Sequence, residues 1–266
     1  MIDADEWIEA GGERLRGWCA GAPRLGKVCI HSAFDEASAL GGAATRSARS
    51  WITRVLPRGA RFRGRVHEQV AAPLPRAALD LHIAHDGYRD AQLEGKHGRN
   101  RPLLLAELGD DPGNPYILYQ LGRDADMRAD HAEACRYYAA SLAASPADAN
   151  WRHELVICHL QALGRRGDLD AALALAERER AAWEESPDFF FVLGNLLLDR
   201  AVFDPAAAIG RWLPMAAAAW QRCLDIGERP DLEGSVHGRG SDLARHNLDV
   251  VQSQLALFAA RSAVRA

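Results

Sequence analysis

Acidic residues near the start of the chain have a spacing that suits metal binding. Asp3 and Asp5 stand two positions apart in the stretch "MIDADEWIEA". In an extended segment alternate side chains project to the same side, so the two carboxylates can share one hard divalent cation. Carboxylates also cap the first turn of helices, and "WIEAGGERLRGW" could form such a helix. The spacing alone therefore permits a metal site but favours capping or a solvated surface.

A second carboxylate stands in "RGRVHEQV", which has the alternation of a strand. That alternation places Glu68 on the same face as Phe62 and Val66. A carboxylate on an apolar face is costly unless it is paired, so Glu68 needs an arginine, a metal or a substrate hydroxyl. His67 falls on the opposite face, either as an exposed polar residue or as a ligand or acid–base group.

A histidine lies at the end of another strand-like run, "ALDLHIAH". Leu79, Leu81, Ile83 and His85 share one face of this predicted strand. His82 points to the other face, which makes His82 and His85 a poor chelating pair. A single histidine at a strand end is more often structural than catalytic.

Arginines are concentrated between Thr45 and Val66, where seven occur without an acid. They form either a solvated strand face or a surface that faces phosphates, because guanidinium groups match phosphate oxygens. The net charge of -4 argues against bulk nucleic-acid binding. Aromatic residues are not interleaved with the arginines as base stacking requires, so we expect no nucleic-acid partner.

Cysteine usage and hydropathy indicate the compartment. The five cysteines include no CxxC pair, which predicts buried, reduced thiols rather than a zinc site or a disulfide framework. No apolar run approaches the roughly 20 residues of a membrane span, and acids stand where a secretory signal would carry basic residues. These features predict a soluble cytoplasmic protein without a membrane span.

The hydrophobic period changes near residue 110 from about 2 to about 3.6, which predicts two domains. Residues 1–110 carry the strand-like runs 27–34, 50–56, 61–70 and 78–85. We expect this part to be α+β, with about four mostly antiparallel strands. Residues 111–266 are rich in alanine and predict an all-α domain of helical hairpins.

The helical half contains repeats with tetratricopeptide spacing. The first unit is defined by Leu118, Leu121, Gly122, Ala125, Ala134, Tyr138, Ser141 and Pro146. A degenerate second unit follows through Gly167, Ala172 and Pro187, and a third uses Phe190, Leu193, Gly194, Leu197, Ala216, Trp220 and Cys223. Such a domain either extends and stabilises its neighbour or forms a groove for a peptide or partner protein.

Together these motifs resemble the family 2 glycosyltransferases with C-terminal tetratricopeptide repeats. The order is "DADEW", "RVHEQ", a strand that ends "HxGY", and then "KxxRNxxLLxxELxxxPxxPYxxYxLG", from residue 2 to about residue 150. The matching residues are Asp3, Asp5, Glu6, Trp7, His67, Glu68, Gln69, His85, Gly87, Tyr88, Lys96, Arg99 and Asn100. No single motif is specific, whereas their order and the fusion to repeats are.

The resemblance implies that residues 1–110 are the C-terminal portion of a GT-A domain, with the metal and acceptor half but not the nucleotide-binding half. Residues 111–266 would then form the tetratricopeptide superhelix. Met1 would be an internal strand residue, so we expect the chain to be truncated and weakly active or inactive. The alternative is a repeat-based interaction scaffold that carries a relic catalytic domain.

The implied reaction transfers a sugar from a nucleotide-sugar donor with the help of Mg²⁺ or Mn²⁺. Asp3 and Asp5 would position the metal against the diphosphate, with His67 or His85 as a further ligand. Glu6 or Glu68 would take the proton of the acceptor. The substrate-binding residues would be Trp7, Arg54, Arg65 and Tyr88.

Overall fold

Strands occupy the first third of the chain. The computed structural model describes residues 2–3, 5–38, 42–88 and 100–265. Its first elements are β1 (Glu6–Ala10), α1 (Arg14–Cys19), β2 (Leu25–Ser38), β3 (Gly42–Val55), β4 (Arg61–Arg63), β5 (Gln69–Ala71) and β6 (Arg76–Tyr88).

Helices make up the remainder. They are α2 (Arg101–Asp110), α3 (Pro115–Met127), α4 (His131–Ala144), α5 (Arg152–Arg166), α6 (Leu169–Glu179), α7 (Pro187–Phe203), α8 (Leu213–Ile226) and α9 (Asp242–Arg265). A short helical turn, Pro205–Ala207, and a π-helical turn, Ala208–Trp212, lead from α7 into α8. The prediction of a mixed chain with strands followed by helices is confirmed at this level.

Four strands form one sheet in the order β1-β6-β2-β3. β1 and β6 are antiparallel, as are β2 and β3, whereas β2 and β6 run parallel. One face of the sheet carries a core in which Val28 and Ile30 of β2 pack with Leu79, Leu81 and Ile83 of β6 and with Trp18 of α1. The predicted shared face of the β6 residues is therefore correct, and the opposite face is left for polar side chains.

Of two local predictions near the candidate residues, one is wrong and the other is correct only in part. Residues 61–70 do not form one strand, because β4 and β5 pair as a small antiparallel hairpin. Gly64 and His67 turn the chain between them with φ values of 110° and 52°. The stretch "WIEAGGERLRGW" is helical only from Arg14, in α1, because its first residues form β1. Because the hairpin replaces the single strand over residues 61–70, Glu68 is exposed in a loop instead of facing a core.

The helices pack closely where the repeat pattern places a glycine. Gly122 of α3 lies against the buried ring of Tyr138 in α4, and a Cβ atom on Gly122 would collide with that ring. Asp130 caps α4 by accepting a hydrogen bond of 2.9 Å from the Glu133 N–H. These contacts form an antiparallel helical hairpin over the residues of the first predicted unit.

The sheet and the helices meet at the segment between α8 and α9. The Arg49 N–H of β3 donates to the Ser235 carbonyl at 2.9 Å. The Trp51 indole N–H donates to the Pro230 carbonyl, and Lys27 Nζ lies 3.7 Å from Glu233 Oε2. Within the described residues, no helix combines the length and the apolar character needed to cross a membrane.

Candidate metal centres on the sheet

Asp5 and His85 meet at the start of β1. Strand pairing puts Glu6 opposite His85, which brings the preceding residue, Asp5, close to the imidazole. Asp5 Oδ2 lies 3.4 Å from His85 Nε2, and Ser32 Oγ lies 3.3 Å from His85 Nδ1. The sheet thus brings together an acid and a histidine that are 80 positions apart in the sequence.

Asp3 and Glu6 are held by an arginine. Arg54 Nη2 donates to Asp3 Oδ2 at 2.8 Å and to Glu6 Oε1 at 2.5 Å. The Glu6 carboxylate is almost fully buried, and its second oxygen accepts from the Asp3 N–H at 3.0 Å. Arg54, which the sequence assigned to substrate binding, therefore binds two carboxylates of its own chain.

Two residues of the "RVHEQ" motif, Arg65 and His67, lie beside the helices. The Arg65 N–H donates to Glu107 at 3.1 Å, and its guanidinium donates to Asp110 at 2.7 Å. His67 lies within the electrostatic influence of Arg123 and Asp124. Among the described contacts, those of Arg65 and His67 are with this helical surface rather than with Asp3 or Asp5.

The remaining substrate-binding and motif residues lie at the sheet or beyond the described part. Trp7 stands on β1 with 52% of its surface exposed. Gly87 and Tyr88 end β6, although the side chain of Tyr88 falls outside the described part of the chain. Lys96 and Arg99 also lie outside the described residues, and Asn100 immediately precedes α2.

A second cluster, formed by Cys29, His31 and His82, lies on the face of the sheet opposite the core. A ligand atom from each of the three residues lies within 4.8 Å of the others. Cys29 is 1% exposed, whereas both imidazoles are partly exposed. His31 Nε2 is 3.1 Å from His82 Nδ1.

Charged groups surround this cluster. His31 Nδ1 lies 3.0 Å from Glu9 Oε2, and His82 Nε2 lies 3.0 Å from Asp80 Oδ1. Burial raises the pKa of the Cys29 thiol, while the positive charge of Arg49 acts in the opposite direction. Burial also lowers the pKa of His31, and Arg49 adds to that effect.

Sequence reasoning missed this cluster because its third member depends on strand order. The alternation in "VCIH" does place Cys29 and His31 on one face. His82 joins them only because β6 pairs with β2 in the register that sets Cys29 opposite His82. The cysteine pattern gave no sign of it, since the motif contains one cysteine and no CxxC pair.

The two centres differ in the metals that they suit. Asp5 and His85 offer one carboxylate and one imidazole, whereas the second cluster offers a thiol and two imidazoles. Asp3 is engaged by Arg54, and the three-donor group found among the described residues is Cys29, His31 and His82.

No family model matches the chain, and no curated protein matches its sequence.

Proposed function

We propose that the chain carries a metal-dependent sugar-transfer site of the GT-A type, centred on Asp5 and His85. The observation that supports it is the 3.4 Å approach of Asp5 Oδ2 to His85 Nε2. These residues belong to the two motifs, "DADEW" and "HxGY", that carry the resemblance to family 2 glycosyltransferases. Convergence of an acid and a histidine from distant segments is typical of a site and is not required for surface capping.

Each residue near this pair has a role in the proposed site. Asp5 and His85 Nε2 would hold Mn²⁺ or Mg²⁺, and the bound cation would stabilise the negative charge of the departing nucleoside diphosphate. Ser32 lies 3.3 Å from the other ring nitrogen of His85, where it can accept the Nδ1–H and leave Nε2 unprotonated for a metal. The exposed indole of Trp7 offers an apolar surface for a sugar ring.

The acceptor must also lose a proton, for which the sequence offers Glu6 and Glu68. We prefer Glu6, because it adjoins Asp5 and is opposite His85 in the strand pairing. Glu68 instead lies in the exposed loop between β4 and β5. Both oxygens of the Glu6 carboxylate are engaged within the chain, by Arg54 and by the Asp3 N–H, so Glu6 would take the proton only after the acceptor displaces one of these partners.

Metal binding gives the first test. Mn²⁺ is titrated into the chain, and free Mn²⁺ is measured by electron paramagnetic resonance for wild type, Asp5→Asn and His85→Gln. We expect each substitution to weaken Mn²⁺ binding at least tenfold. His131→Gln is the matched control, because His131 forms a similar pair with Asp126 at 2.8 Å in the helical part. Equal Mn²⁺ affinity in wild type and Asp5→Asn would contradict the proposal.

Donor chemistry gives the second test. The chain is incubated with Mn²⁺ and UDP-glucose or GDP-mannose, and released nucleoside diphosphate is measured. We expect slow release that requires Mn²⁺ and that Asp5→Asn abolishes. Release at the same rate without added metal would argue against this site.

A groove in the helical part supports a second candidate function, the binding of a peptide or partner protein. The groove encloses about 610 Å³ between α6, α7 and α8. Its lining includes the apolar residues Phe190, Leu193 and Met215 and the charged residues Glu184 and Arg222. It suits an extended peptide that inserts an apolar side chain between charged neighbours of both signs.

Peptide selection tests this second function. A displayed peptide library is selected on the wild-type chain, and binders are measured against Met215→Glu and Met127→Glu. Met215 lines the groove and Met127 is similarly exposed on α3. We expect only Met215→Glu to abolish binding. Binders that tolerate Met215→Glu would place the interaction elsewhere.

A further inference from the structure

The imidazoles of His31 and His82 are arranged so that two ring nitrogens face each other. Each ring also has an outer nitrogen 3.0 Å from a carboxylate oxygen, of Glu9 for His31 and of Asp80 for His82. Carboxylates only accept hydrogen bonds, so the outer nitrogens are assigned as N–H donors. The inner nitrogens, His31 Nε2 and His82 Nδ1, are then both acceptors in the neutral rings.

Two acceptors at 3.1 Å cannot form a hydrogen bond with each other. Either an additional proton or a cation must lie between them. The Sγ atom of Cys29 lies within 4.8 Å of a ring nitrogen of each histidine and offers a third donor beside this pair. Cys29 is held there by β2, and its register with β6 sets His82 directly across from it.

We propose that Cys29 Sγ, His31 Nε2 and His82 Nδ1 form a binding site for Zn²⁺ or a neighbouring late first-row divalent metal. Two nitrogens and a thiolate are donors that Zn²⁺ and Co²⁺ prefer to the all-oxygen sets of Mg²⁺. Ligand nitrogens on a tetrahedral zinc ion stand roughly 3.3 Å apart, given Zn–N bonds of about 2.0–2.1 Å. The inner nitrogens, at 3.1 Å, are already near that separation.

Two carboxylates beside the cluster are placed to accept hydrogen bonds from the histidine rings, as is usual for metal-binding histidines. Glu9 and Asp80 would accept the remaining ring N–H groups, which fixes the tautomers and increases the basicity of the ligand nitrogens. Asp80 is itself anchored by an ion pair with Arg14. Arg49 lies opposite His31 in the β2–β3 pairing, and its positive charge would oppose the binding of a cation. The negative charges of the thiolate and of the Glu9 and Asp80 carboxylates exceed that single positive charge.

Binding would convert the Cys29 thiol to a thiolate. The metal–sulfur bond forms as the thiol proton passes to solvent, and the metal also displaces the proton held between the two inner nitrogens, so up to two protons are released for each metal bound. Both imidazoles are partly exposed, which leaves a solvent-facing fourth position for water. This centre uses none of the residues of the proposed sugar-transfer site.

The test uses the full chain after removal of metal by chelator and dialysis. Co²⁺ is added as a spectroscopic probe, and Zn²⁺ affinity is measured by competition with a chromophoric chelator. We expect one metal per chain, a near-ultraviolet thiolate-to-Co²⁺ charge-transfer band, and no competition from Mg²⁺. Absence of stoichiometric binding, or binding without that band, would overturn the proposal.

Substitution of proposed ligands tests which residues bind the metal. Cys29→Ser should remove the charge-transfer band and weaken Zn²⁺ binding more than tenfold, and His82→Gln should weaken it similarly. Cys19→Ser is the matched control, because Cys19 is exposed and lies outside the cluster. Asp80→Asn should weaken Zn²⁺ binding by about tenfold through the loss of ring orientation.

Folding of each variant is checked by circular dichroism. If Cys29→Ser does not fold, His82→Gln and the wild-type Co²⁺ spectrum decide the question. Unchanged Zn²⁺ affinity in a folded Cys29→Ser or His82→Gln variant would show that the inner nitrogens share a proton and not a metal. Retention of Mn²⁺ binding by His82→Gln would separate this centre from that of Asp5 and His85.

Discussion

Gly194 of α7 lies directly against the indole of Trp220 in α8. A Cβ atom placed on Gly194 would come within 2.5 Å of Trp220 Nε1. Trp220 is fully buried, so the ring has no space into which to move. The same relationship joins Gly122 to Tyr138 in α3 and α4. The close approach of the two helices therefore depends on the missing side chain.

We expect Gly194→Ala to destabilise the protein although alanine favours helices. Overpacking of a filled core costs about 1–3 kcal/mol, whereas the gain in helix propensity is at most about 1 kcal/mol. The net loss, roughly 1–2 kcal/mol, is measured by urea unfolding. Gly109→Ala is the control, because a Cβ atom there meets nothing within 4 Å. A Gly194→Ala variant as stable as Gly109→Ala would contradict the packing.

These glycine contacts show which part of the fold the sequence could predict. Local patterns located the middle of β2 and of β6, the end of β3 and the change from strands to helices, because the hydrophobic period reports which face each element buries. The repeat spacing also placed Gly122 and Tyr138 in one unit, although their direct contact was not predicted. Neither inference required knowledge of which strands are neighbours.

Features that depend on strand order or on an unusual backbone could not be predicted. The positive φ of His67 breaks the strand expected over residues 61–70, and histidine at such a position gives little sequence signal. The cluster of Cys29, His31 and His82 requires the parallel pairing of β2 with β6. Arg54 was assigned to substrate binding, whereas its carboxylate partners come from the opposite edge of the sheet.

Removal of Arg54 should strongly destabilise the sheet. Arg54→Met leaves the Glu6 carboxylate buried without this cation, and breaking a buried pair costs about 3–5 kcal/mol. Glu6→Leu in the same chain should recover part of that loss, because the uncompensated charge is gone. Urea unfolding of the four members of this double-mutant cycle measures the coupling. Additive effects would mean that the ion pair contributes nothing to stability.

Protonation of His159 should destabilise the protein in acid. His159 is buried in α5, and burial lowers its pKa from 6.5 to about 4, with the nearby charge of Arg178 acting in the same direction. The unfolded chain therefore binds more protons than the native protein between these values, so stability falls as the pH drops from 6.5 to 4. The loss from this residue is at most about 3 kcal/mol.

His159→Leu should remove that part of the acid sensitivity. Unfolding free energies of wild type and variant are compared between pH 7 and pH 4, where we expect their difference to increase steadily in favour of the variant. His246→Leu, at an exposed position on α9, is the control and should follow wild type. Parallel curves for wild type and His159→Leu would show that His159 titrates alike in the native and unfolded states.

Ionisation of Glu233, at the junction of sheet and helices, should destabilise the protein as the pH rises, which is opposite to the effect of His159. Burial raises its pKa from 4.5 to about 7, and Lys27 at 3.7 Å offsets only part of that effect. The native protein therefore binds more protons than the unfolded chain between pH 4.5 and pH 7, so the stability contributed by this residue is lost as the pH rises through that window.

Glu233→Gln cannot ionise and should gain stability over wild type by up to about 3 kcal/mol as the pH increases from 4.5 to 8. The control is Glu13→Gln, which alters an exposed carboxylate. Urea unfolding at each pH measures the difference, and one that stays constant across the range would mean that Glu233 titrates alike in both states.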